Sequence, residues 1–148
     1  PALVLSAMSA ISFDDLVTEE DKVCVQSIFN NFGKCEVVEE TMMDAVTSVS
    51  GSSPAYVFMF IEAMADAAVA QGLPRKQAYT FAAQAVLGSA KMVLETGMHP
   101  GTLKDMVCSP GGTTIDAVCE LERTGFRASV ESAMRVCGEK SKKMTEGK

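Results

Sequence analysis

The stretch AYVFMFIEAMADAAVAQG, residues 55–72, is apolar on nearly every side of the helix its length demands. Pro54 just ahead of it suits a first helical turn, and Gly72 suits its end. A helix apolar all round needs cover all round, and a chain of 148 residues has few other helices to surround it. A second copy of the chain is the natural source of the missing contacts, so an interlocked homodimer is expected. In composition the stretch looks like a membrane span until Glu62 and Asp66 interrupt it, so a buried helix is expected, not a span.

The rest of the chain divides near residue 38. Residues 1–13, PALVLSAMSAISF, read as a strand apolar on both alternating sets, which expects cover on both faces. VTEEDKVCVQSIFNNFG follows as a helix: Thr18 caps it, Glu19, Glu20 and Asp21 load the positive end of its dipole, and Gly33 closes it. CEVVE, residues 35–39, is a second short strand. Strand, helix, strand over 1–38 suits the edge of an α/β layer whose other strands are expected outside these residues. The opening strand should pair with CEVVE, pair with a second subunit, or be disordered.

From residue 39 every segment reads as helix. EETMMDAVTSVSG ends in a Ser/Gly break at Ser50 to Ser53. Pro74 opens a helix that Gly97 ends, HPGTLKDMV makes a short one, and TTIDAVCELERTG and RASVESAMRVCGEKSKKM finish the chain, with a charged end expected to fray. The class is mainly α, with domains expected at 1–38 and 39–148.

Apolar residues make up 47% of the chain and aromatics only 6%, without Trp, so Ala, Val, Leu and ten Met must fill its interior. The formal charge of −6 argues against nucleic acid and anionic membrane surfaces as partners. Five cysteines lie far apart and without a C-x-x-C pair, and one His cannot complete a zinc site with them. Reduced thiols in the cytoplasm and no metal are expected, and no secretory signal is legible.

One string carries chemistry. In CSPGGTTID, residues 108–116, a proline and two glycines lead into a helix start crowded with the hydroxyls of Ser109, Thr113 and Thr114. A helix start leaves backbone N–H groups unpaired at the positive end of the dipole, and glycines let a ligand approach the backbone. The combination makes a small anion site. Carboxylate suits it better than phosphate, because no Lys or Arg lies within the string. The structural alternative is that Thr113 or Thr114 caps the helix and nothing binds. Of the other candidates, Glu62 and Asp66 read as ends of hydrogen-bond networks, His99 as a surface or capping residue, and Cys108, with no basic neighbour to activate it, as packing.

SGSSPAY at 50–56 and HPGTLKDMVCSPGGTTI at 99–115, separated by PRKQAYTFAAQAVLGSAKMVLETG, resemble the C-terminal domain of the pyrroline-5-carboxylate reductase family. The opening PALV and SAIS resemble the end of that family's cofactor domain. The likeness implies an interlocking helical dimerisation domain, often built into larger rings, preceded by a strand–helix–strand remnant of a Rossmann-type domain. It implies hydride transfer from NADH or NADPH to the carbon–nitrogen double bond of pyrroline-5-carboxylate, giving proline. By that resemblance Ser109 and the amides of Gly112 and Thr113 hold the substrate carboxylate, and the Thr114 hydroxyl, the group nearest catalysis, bonds the ring nitrogen. Ser52 and Ser53 of the other subunit would wall the pocket near the nicotinamide.

No G-x-G-x-x-G occurs in the sequence, so no dinucleotide is expected to bind these residues alone, and without it no turnover is expected. The sequence departs from the family in two places: Leu5, Ser6 and Ala7 stand where members usually carry a glycine-rich stretch, and Ser53 where many have glycine. The alternative function, from another class, is a purely structural helical oligomerisation module without a ligand.

Overall fold

The computed structural model describes residues 1–147, which form two compact units. The first comprises Pro1–Pro54 and the chain from Ser132 onward, and the second is Ala55–Glu131.

In the first unit β1 (Ala7–Ile11) and β2 (Gly33–Val37) pair in parallel, in register from Ala7 opposite Gly33 to Ile11 opposite Val37, joined through α1 (Glu19–Asn30). The opening strand therefore does pair with the second. The start of α1 is as its residues dictate. Thr18 Oγ1 accepts the Asp21 N–H at 3.2 Å, and three carboxylates fill the first turn.

Three expectations change here. The strand does not reach the N-terminus: Ala2–Val4 form a 3-10 turn and Leu5 follows in the left-handed region at φ 54°, leaving Leu3 fully exposed. Gly33 does not close α1, which passes out through Asn31, but opens β2. A Cβ at Gly33 would lie 2.0 Å from the Ala7 carbonyl oxygen, so only glycine lets the two strands meet there. Third, the Ser/Gly segment is not a break. Glu40–Met42 (3-10), α2 (Met43–Val46) and a π turn over Thr47–Gly51 wind on into α3 (Ser53–Ala70). Its hydroxyls bond back to the preceding turn, Thr47 to the Met43 carbonyl at 2.9 Å and Ser50 to Val46 at 3.1 Å, with Ser53 doing the same to Val49. The end of α7 (Phe126–Glu146) is tied to this segment, Ser141 Oγ donating to Asp44 Oδ1 at 2.6 Å. Charged as it is, α7 stays helical to Glu146.

The second unit carries most of α3, then α4 (Arg75–Thr96), α5 (Pro100–Met106), α6 (Thr113–Arg123) and the start of α7. Gly97, at φ 64°, ends α4 as expected. Asp66 pairs with Arg75, whose guanidinium also lies over the Tyr79 ring at 5.6 Å; the hydrogen bond to Asp66 raises the arginine above its ordinary value. Asp66 thus ends a network as read, whereas Glu62 is exposed and has no such partner among the described residues.

The expected burial of residues 55–72 is not met within one chain. Of α3 only Ala65 is buried, and the buried apolar residues of the described chain are Ala65, Ala78 and Ala82, with nothing larger. Phe58, Met59 and Phe81 stay about two-thirds exposed, at 66%, 68% and 67%. The physical reason is geometric: one chain has too few helices to wrap an all-round apolar one. By length and composition the helical run 40–70 would also suffice to cross a membrane.

Candidate functional site

The CSPGG string folds as its residue types require. The Gly112 N–H donates to the Ser109 carbonyl at 3.0 Å, closing a four-residue turn with Pro110 second and Gly111 third at φ 67°. Proline pre-sets the second position of such a turn, and only glycine takes positive φ at the third without strain. Gly112 must also be small: a Cβ there would sit 3.1 Å from the Ser109 carbonyl oxygen.

Gly112 is then the N-cap of α6, so the capping alternative for Thr113 and Thr114 is not what forms: they occupy the first two helical positions and neither hydroxyl caps. The first amide to close the helix is that of Asp116, onto the Gly112 carbonyl at 3.5 Å. Among the described residues the amides of Thr113, Thr114 and Ile115 and the hydroxyls of Ser109, Thr113 and Thr114 have no hydrogen-bond partner. All three hydroxyl residues are exposed. The turn at Gly112 so brings Ser109, Thr113 and Thr114, all exposed, to the start of one helix. The Gly112 amide is already used, and Ile115, which sequence reasoning missed, supplies an amide in its place. Its signal was available: the three residues after any N-cap have free N–H groups.

Electrostatics around the loop are balanced. Lys104 on α5 is paired with Asp105, whose hydrogen bond holds the ammonium above the ordinary lysine value while Arg127 opposes this. Glu120 accepts two hydrogen bonds from Arg123, which hold its carboxyl below the ordinary range. Asp116 is the acidic side chain in the first turn of α6. An anion there is met by main-chain dipoles and hydroxyls, not by a free cation.

Ahead of the loop, His99, expected as a surface or capping residue, is exposed and caps α5: its Nδ1 accepts the Gly101 N–H at 3.0 Å. Cys108 is half-buried and donates its amide to the Asp105 carbonyl at 3.1 Å. Ser52 and Ser53 belong to the first unit, where both hydroxyls are engaged: Cys137 Sγ donates to Ser52 Oγ at 3.1 Å, and Ser53 Oγ bonds Val49. With Thr47, Lys140 and Met144, Ser52 lines a groove of about 440 Å³. No group of three or more metal-ligating side chains occurs among the described residues.

Residues 40–144 match the model of a family described as pyrroline-5-carboxylate reductase dimerisation. The chain belongs to this family. Pyrroline-5-carboxylate reductase of Escherichia coli K12 is 65% identical over 146 residues, which cover 99% of this chain and 54% of that protein. Among solved structures, the Plasmodium falciparum pyrroline carboxylate reductase, determined with NADP bound, superposes with a TM-score of 0.89 at 37% identity, covering 97% of this chain and 59% of that one. The Coxiella burnetii enzyme gives 0.90 at 32% identity, covering 95% and 52%. The chain thus spans about half the length of the relatives it matches. The mainly helical class with a short strand–helix–strand start is the fold of the corresponding part of those reductases.

The start of α1 does not offer the pyrophosphate seat of a Rossmann unit. In a Rossmann unit the pyrophosphate rests on a helix N-terminus behind a glycine-rich turn. Here the helix after β1 opens on Thr18, already engaged with Asp21, and on Glu19, Glu20 and Asp21, which would repel phosphate.

Proposed function

We propose that these residues supply the dimer interface and the substrate-carboxylate site of a cytoplasmic pyrroline-5-carboxylate reductase, which reduces 1-pyrroline-5-carboxylate to L-proline with NADPH or NADH. One observation carries this reading: the unpaired donors of residues 109–115 lie together, exposed, at the start of an eleven-residue helix. Ser109 Oγ and the amides of Thr113, Thr114 and Ile115 receive the carboxylate. Gly112 contributes by lacking a side chain. Thr114 Oγ1 accepts the N–H of the protonated cyclic imine and so fixes the face of the carbon–nitrogen double bond that is reduced. A cyclic imine can reach the site already protonated near neutral pH, so orientation contributes more than a strong acid would. Ser52 and Ser53 of a second subunit wall the pocket on the nicotinamide side. Residues 1–38 belong to the cofactor domain and 39–148 to the helical one. The exposed faces of α3 and α4 pair two copies, and such dimers assemble into rings.

The nicotinamide donor binds outside these residues, which by themselves show no steady turnover. The test is calorimetric titration of the chain with L-proline, together with an assay on pyrroline-5-carboxylate and either cofactor. Saturable binding that Ser109→Ala and Thr114→Val weaken, without turnover, is expected. Sustained reduction by the chain alone refutes the cofactor part. A second reading, a helical oligomerisation module without a ligand, is favoured by the Gly112 amide being engaged by Ser109. It predicts dimers with no saturable proline binding.

A further inference from the structure

Two side-chain hydrogen bonds reach across 85 and 97 residues of sequence, and both run between α7 and the segment ahead of α3. Cys137 Sγ donates to Ser52 Oγ at 3.1 Å, and Ser141 Oγ donates to Asp44 Oδ1 at 2.6 Å. Gly138 faces the middle of that segment. A Cβ there would stand 4.0 Å from the Oγ of Ser48, a buried polar residue only 7% exposed. Asp44, Ser48 and Ser52 thus meet Ser141, Gly138 and Cys137 in antiparallel order, all within the first unit.

The π turn over Thr47–Gly51 makes this pairing possible. In an unbroken α-helix Asp44 and Ser52 would point about 80° away from each other. Cys137 and Ser141, one turn apart on α7, share a single face. The wider turn, closed by the Ser52 N–H on the Thr47 carbonyl at 2.9 Å, takes up the difference. A π turn is rare, and its alternative here is an ordinary α turn in which the Ser52 N–H would reach the Ser48 carbonyl.

We propose that Cys137 and Ser141 are positioning residues: by holding the π turn they aim the Ser52 hydroxyl into the site that Ser52 walls in a second subunit. The inference rests on that reading of Ser52 and of residues 109–115. Because Ser52 Oγ takes the thiol hydrogen, its own hydrogen, without an acceptor among the described residues, is left for a ligand. Ser52 lines the open groove of about 440 Å³ together with both tethers, so that hydrogen can be reached from outside. The acceptors of a bound cyclic amino acid are its carboxylate oxygens, and Ser52 meets them as a donor. Rewound to an α turn, the hydroxyl would swing away from α7 and from that position.

The test uses the full chain, crystallised without ligand and titrated with L-proline. Cys137→Ala/Ser141→Ala removes both tethers. Its structure should show the Ser52 N–H on the Ser48 carbonyl, and an unmoved bond to Thr47 overturns the proposal. Should that variant not fold, Cys137→Ala alone decides: the Ser52 hydroxyl should leave its place against α7, and one that stays overturns the proposal. In calorimetry Ser52→Ala and Cys137→Ala should each lower proline affinity about tenfold, as loss of a hydrogen bond to a charged group does. A residue acting through Ser52 has nothing left to act on once that hydroxyl is gone. Ser52→Ala/Cys137→Ala should therefore lose no more than about tenfold, and a loss of about a hundredfold, the product of two independent effects, overturns the proposal. Unchanged affinity in Cys137→Ala does so as well. If proline never binds but the untied turn rewinds, the tethers stand as what holds Ser52, and the carboxylate reading fails.

Discussion

Phe58 offers the sharpest perturbation of the proposed subunit interface. It lies on α3 with 66% of its surface exposed, beside Met59 at 68%, on a helix with no large buried side chain. Fully burying a phenylalanine stabilises by about 1.5–3 kcal/mol. Two-thirds of that remains to be gained on association, ~1–2 kcal/mol per protomer. A two-fold interface counts each residue twice, so Phe58→Ala should weaken the dimer by ~2–4 kcal/mol, about 30- to 1,000-fold in dissociation constant. Sedimentation equilibrium over a concentration series reads that constant. Far-UV circular dichroism checks the fold, which should survive, since Phe58 makes no ring contact or hydrogen bond within the described chain. A dissociation constant within about threefold of wild type, with helicity unchanged, would refute the reasoning that α3 lies between two copies.

Gly33→Ala should cost on the order of 2–5 kcal/mol in urea unfolding, because its Cβ would strike the Ala7 backbone where the strands begin to pair; a loss below 1 kcal/mol would show that the strand can shift freely. Leu5→Gly should stabilise by up to about 1 kcal/mol, since a left-handed leucine is strained and this one is 69% exposed. Arg123 lowers the folded value of Glu120, so the pair's contribution is present above the ordinary glutamate value of 4.5 and lost as pH falls through the lowered one. Carboxyl titration by NMR should find the Glu120 midpoint below 4.5 and returned there by Arg123→Ala; the same midpoint in both proteins would exclude the pair as the cause.

Local signals in the sequence carried over well, because their physics is local. Thr18 caps α1, Gly97 ends α4 and His99 caps α5. What failed depended on distant neighbours or on competing local bonds. Gly33 sits where any chain-ending glycine would, yet its requirement comes from Ala7, far along the chain. Ser50 to Ser53 read as a turn because serine and glycine favour turns, but the hydroxyls of Ser50 and Ser53 bond the preceding carbonyls and the helix winds on. Leu3 and Leu5 alternate like strand residues, and the 3-10 turn at 2–4 is not visible in that alternation. At the candidate site the cluster of donors was legible from Ser109 to Thr114. That the Gly112 amide is not among the free ones was not, because that follows from the turn closing on the Ser109 carbonyl.

The most direct measurement follows the backbone amide resonances of Thr113, Thr114 and Ile115 in the dimer as L-proline is added. Saturable shifts at all three, with one common dissociation constant that Ser109→Ala raises, are predicted. Resonances that stay still while proline saturates elsewhere, or a chain that binds no proline at any concentration, would contradict a main-chain carboxylate site at the start of α6.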